Sequence, residues 1–72
     1  MLVSYYLSRK NLKGVDIVGL YQVLKAIGYE VLIGNGIIII VSSIGPFESR
    51  QHVKEELRLD VEALLERFRI KK

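Results

Sequence analysis

The chain has 72 residues, no cysteine, one proline and a formal net charge of +3. Leucine, isoleucine and valine supply 27 of those residues, which excludes a disordered tail poor in large aliphatics. The length predicts one domain over residues 1–72, small enough to bury only about 60% of its unfolded surface, and the missing thiols exclude disulfides and thiolate metal sites as reinforcement.

Leu2–Leu7 is a short apolar and aromatic run and reads as a strand. It carries no leading positive charge, because Arg9 and Lys10 follow the apolar residues, so a secretory signal is not expected. Residues 8–14 are polar and basic, end in Gly14, and read as a loop. Asp16 is a candidate N-cap for a helix in which Ile17, Leu20, Tyr21, Leu24 and Ile27 share one face, with Gly28 as the C-terminal cap. Tyr29–Ile33 and Ile37–Val41 are strand-like, and Asn35-Gly36 between them is a strong hairpin signal. The most apolar window, 31–44, is interrupted by Gly34, Asn35, Gly36, Ser42 and Ser43. It is therefore too broken for the roughly 20 apolar residues of a spanning helix. A cytoplasmic protein is expected.

Pro46 suits the first turn of a last helix. Val53, Leu57, Val61, Leu64 and Phe68 recur there at spacings of three and four, an amphipathic seam. Asp60 is a possible second cap that would split this helix in two.

The order β-α-β-β-α predicts an α+β fold: a ferredoxin-like split βαβ sandwich with the hairpin's second strand in the middle of the sheet. Its last strand is missing unless residues 69–72, a basic C-terminal tail, supply a stub. Both faces of the strands are apolar, whereas two helices cover only one face of a three-stranded sheet. Leu2, Tyr6, Ile38 and Ile40 are the expected dimer interface on the uncovered face, making the chain its own partner.

The charge is uneven. Residues 1–47 carry +2, 48–66 carry −3 and 67–72 carry +4. The topology brings loop 8–14, the Asn35-Gly36 turn and the tail to one end, so Arg9, Lys10, Lys13, Arg67, Arg69, Lys71 and Lys72 are the candidate nucleic-acid-binding residues, toward DNA or RNA. Cations near a helix C-terminus also complement its dipole without any ligand.

Catalytic chemistry is poorly represented. His52 is the only histidine; Glu48, His52 and Glu56 share a helical face but read as solvated charge pairs, and no metal or cofactor is expected. Ser42-Ser43 lies near a helix N-terminus, away from the basic end. Gly34-Asn35-Gly36 lacks the lysine and helix of a phosphate loop, and no acid–base pair stands out, so no enzymatic activity is expected.

Two resemblances bear on function. Val18-Gly19-Leu20 through Ala26-Ile27-Gly28-Tyr29-Glu30-Val31 resembles the first helix and second strand of amino-acid-binding ACT modules, which have a βαββαβ order and pair through their sheets. That resemblance implies a small-ligand-sensing or protein-interaction module acting through its apolar sheet face. The family's proline before the first helical glycine is absent here, and no ligand residue is carried over. The helix, Gly28 and the hairpin tipped by Asn35-Gly36 are also similar to the recognition helix and wing of a winged helix domain. This second resemblance implies helices over Leu2–Leu7 and Ser8–Gly14, and again nucleic-acid binding.

Overall fold

The computed structural model describes residues 1–70. The elements are β1 (Leu2–Ser8), α1 (Arg9–Leu12), α2 (Ile17–Ile27), β2 (Glu30–Gly34), β3 (Ile37–Ser43) and α3 (Arg50–Phe68). The architecture is α+β, with a three-stranded antiparallel sheet in the order β1-β3-β2. The aliphatic β3 is central, as its composition predicts. Because Leu2–Ser8 is a strand, the helix that a winged helix domain would need there does not exist.

Local signals set the boundaries. Asp16 accepts a hydrogen bond from the Gly19 amide at 3.2 Å and so starts α2. Gly28 ends it in the left-handed region, φ 115°, where its own amide reaches the Leu24 and Lys25 carbonyls. At the hairpin only Gly36 takes a positive φ, 76°.

Two boundaries differ from expectation. α3 begins after Ser49, which caps the His52 amide, rather than at Pro46. It then runs unbroken through Asp60, whose carboxylate is engaged elsewhere: it accepts the Tyr29 hydroxyl at 2.7 Å. The expected 8–14 loop contains the single-turn helix α1, held by buried Leu12.

The core lies between the sheet and the helices. Val3 and Leu7 of β1, Val31 of β2, and Ile38 and Ile40 of β3 meet Leu20 and Leu24 of α2 and Val53, Leu57, Val61, Leu64 and Leu65 of α3. The predicted α3 seam is therefore buried, with Phe68 packed against its edge. The α2 face is narrower than expected, since Ile17 and Ile27 at its ends are exposed.

Register corrects the expected dimer face. Leu2 lies opposite Ser43 and Tyr6 opposite Ile39, while Ile38 and Ile40 lie opposite Leu7 and Tyr5. Directly paired residues share a face. Ile38 and Ile40, only 3% and 0% exposed, thus lie under the helices and cannot form a surface with Leu2 and Tyr6. The uncovered face presents Leu2 and Tyr6 with Leu32, Ile37, Ile39 and Val41. Of these, Leu2, Tyr6, Leu32 and Ile37 are 47–68% exposed.

Among the described residues the tail does not extend the sheet. Arg69 instead forms an isolated antiparallel bridge with Val15. The part of the expected tail at Lys71 and Lys72 lies outside the described residues. Among the described residues no helix is long and apolar enough to cross a membrane.

Candidate nucleic-acid interface

The basic residues of the 8–14 segment are positioned by α1. Asn11 Oδ1 accepts the Ser8 amide at 3.0 Å and the Ser8 hydroxyl at 2.9 Å, closing the turn from strand into helix. With Leu12 buried, Arg9, Lys10 and Lys13 remain on the outside of that turn. Arg9 folds back over the hairpin tip; a Cβ at Gly36 would sit 2.7 Å from Arg9 Nε. Glycine there lets the guanidinium lie against bare backbone. Arg9, Lys10, Leu12, Lys13, Ile17 and Gly36 together line an open, shallow groove.

The end of α3 is fastened to the same region. The Asp16 amide donates to the Phe68 carbonyl at 2.8 Å, and the Ile70 amide donates to the Gly14 carbonyl at 2.5 Å. Around the Val15–Arg69 bridge these bonds make a short backbone clamp. The expected convergence of the 8–14 segment with the C-terminal residues is thus present through residue 70.

The cations differ in availability. Arg69 lies 3.7 Å from Glu66. Arg67 sits over its neighbour Phe68, 6.0 Å from the ring centre. Among the described residues, Arg9, Lys10, Lys13 and Arg67 have no carboxylate within ion-pair distance. Four cations without a counter-charge on one end of so small a fold form a local positive field that the net charge conceals.

A second basic group, legible only as a four-residue spacing, lies on α3: Arg50, Lys54 and Arg58. With Tyr5, Gln51 and Glu55 they line a groove beside β1. Arg58 is bonded to both Glu55 and Glu62. Those bonds raise the guanidinium pKa and lower that of Glu55, so both stay charged and Arg58 is partly offset by its acidic neighbours.

The metal reading of Glu48, His52 and Glu56 finds no common centre. Glu48 turns back to accept the Gly45 amide at 2.7 Å, and His52 lies 3.7 Å from Glu56. Among the described residues no group of three potential ligands comes together. Ser42 and Ser43 lie with Tyr29, Glu48, Glu56 and Asp60 in a pocket of acidic character, unsuited to an anion. Tyr29 there has its hydroxyl pKa pushed up, first by burial, then by donation to Asp60 and by the neighbouring acids.

Comparison of the chain with family models, curated proteins and solved structures finds no match.

Proposed function

We propose that this chain is a small, non-enzymatic, homo-oligomeric cytoplasmic protein that contacts nucleic acid through its basic end. In this reading the fold is a ferredoxin-like sandwich stripped of its last strand. Arg9, Lys10, Lys13, Arg67, Arg69, Lys71 and Lys72 supply phosphate contacts, and Leu2 and Tyr6 belong to the surface where copies meet. The observation that carries it is the clamp of residues 14–16 onto 68–70, which fastens the two basic segments at one end. Contacts of this sort fix a protein on the backbone without reading bases.

The test is a fluorescence-anisotropy titration of labelled mixed-sequence duplex and single-stranded oligonucleotides at two salt concentrations. Micromolar binding that weakens steeply with salt is expected, the slope reporting about 0.9 per phosphate contact on duplex. Absence of binding at about 50 mM salt overturns the reading.

The exposed apolar face of the sheet favours a second reading, a protein-interaction or small-ligand-sensing module of ACT type. Charge reversal at Arg9, Lys10, Lys71 and Lys72 separates the two. It abolishes binding under the first and changes nothing under the second.

A further inference from the structure

β1 is an edge strand whose outward backbone can be assigned. The Ile44 amide donates to the Met1 carbonyl at 3.0 Å, which makes Met1 and Ile44 a hydrogen-bonded pair in the β1–β3 register. Such pairs alternate along an antiparallel ladder. Val3, Tyr5 and Leu7 therefore bond to β3, while Leu2, Ser4, Tyr6 and Ser8 turn their amides and carbonyls away from it. The Ser8 amide is already taken by Asn11 Oδ1. The alternation directs the amides of Leu2, Ser4 and Tyr6 away from the sheet at its β1 edge.

This edge lacks the usual protection. Leu2–Ser8 contains no charged residue, proline or glycine, and its register with β3 is continuous with no bulge. α3 packs against the helix side of β1, and a groove carrying both signs of charge runs between them beside Tyr5.

We propose that β1 of a second copy occupies this edge, antiparallel, about a two-fold axis at Ser4. A strand that pairs with itself closes into a dimer, whereas pairing β1 with the β2 edge of another copy repeats without closing. Of the registers in which outward backbone groups meet, the one centred on Val3 pairs only Leu2 with Ser4, and the one centred on Tyr6 also needs Ser8, which leaves those centred on Ser4 or on Tyr5. The Tyr5 register spends a pair on Ser8, whose amide is occupied. The Ser4 register uses Leu2, Ser4 and Tyr6 fully. It sets Leu2 beside the partner's Tyr6 on the uncovered face and Val3 beside the partner's Tyr5 on the helix face, both favourable apolar–aromatic neighbours.

Edge pairing joins the two uncovered faces into one continuous six-stranded surface.

The dimer also spaces the basic ends. Arg9 is five residues from the axis at Ser4, so the two copies of Arg9 lie about 33 Å apart along the strands, close to one turn of B-form duplex at about 34 Å. This last consequence rests on the nucleic-acid reading; the strand pairing does not.

The experiment is light scattering on the intact chain, with single-cysteine variants in a protein that has no cysteine of its own. A mass of twice 8.2 kDa is expected. Under mild oxidation Ser4→Cys forms a symmetric disulfide, because a hydrogen-bonded pair places the two Cα atoms about 5.5 Å apart. Ser8→Cys does not, its two copies lying about 26 Å apart. Ser4→Pro, which removes an outward amide and no bond to β3, gives a monomer with an unchanged circular dichroism spectrum. A monomeric wild type, a Ser4→Cys chain that fails to cross-link, or a Ser4→Pro chain that still dimerises overturns the pairing. With pairing established, a duplex of about 24 base pairs is expected to bind at least tenfold tighter than one of about 10. A cross-linked dimer that binds neither duplex overturns the nucleic-acid reading and leaves the pairing standing.

Discussion

Gly19→Ala inverts the usual effect of filling a helical glycine. Gly19 lies inside α2, and alanine in a free helix interior gains about 1 kcal/mol over glycine. Here a Cβ would lie 2.7 Å from Asp16 Oδ2 and 2.7 and 2.9 Å from two ring atoms of Phe68. One neighbour is the cap of α2, and the other anchors the end of α3 against residues 14–16. Overpacking of this kind costs about 1–3 kcal/mol. The balance is a net loss of about 0–2 kcal/mol, and the centre of that range lowers the melting temperature by about 4–8 °C in a domain of this size. Thermal unfolding by circular dichroism measures it. The same variant should weaken oligonucleotide binding, because displacing Phe68 loosens the segment that carries Arg67 and Arg69. A Gly19→Ala chain stabilised by about 1 kcal/mol would refute the close approach of α2 and α3.

Three further outcomes are expected. Ile40→Ala, at a fully buried site under both helices, should cost about 2–5 kcal/mol in urea unfolding, a large part of the stability of so small a domain. Tyr29→Phe should cost about 1 kcal/mol at neutral pH through loss of the hydroxyl bond to Asp60. Folding raises the Tyr29 pKa above its ordinary value of 10.0, so its contribution is fully present below about pH 10 and fades as pH climbs toward the folded value. The gap between wild type and Tyr29→Phe should therefore narrow above pH 10, and a gap that widens there contradicts the assignment. Asn11→Ala removes the acceptor of the Ser8 amide and should cost about 1 kcal/mol while fraying α1. Amide hydrogen exchange at residues 9–13 reads that fraying, and unchanged protection would contradict it.

Most of the fold was legible because its signals are local. Asp16 and Gly28 bracket α2, Asn35-Gly36 makes the hairpin, and the spacing from Val53 to Phe68 declares α3. The α1 turn was hidden because Arg9–Leu12 is too short for a period, its stability coming from the Asn11 bond and buried Leu12. The uncovered face of the sheet was only half legible, for a different reason. Residues 37–41 are aliphatic at every position, so pattern alone cannot choose which set faces the helices; only the register with β1 assigns Ile38 and Ile40 to the core. At the basic end, loop directions could be traced from the element order. The clamp around Val15 and Arg69 could not, since it rests on backbone bonds that any side chains allow. The Arg50, Lys54 and Arg58 spacing was visible, but its partial neutralisation by Glu55 and Glu62 needed coordinates.

The central claim is that phosphate contacts come from the basic end, and the salt dependence of duplex binding tests it most directly. Wild type and an Arg9→Glu, Lys10→Glu, Lys13→Glu chain would be titrated across a salt series, with Lys25→Glu, on the last turn of α2, as the control. Each lost phosphate contact lowers the slope of log K against log salt by about 1. The triple variant should lose about three units of slope with most of its affinity, while Lys25→Glu keeps the wild-type slope. Equal slopes for the triple variant and wild type would place the contacts elsewhere and contradict the claim.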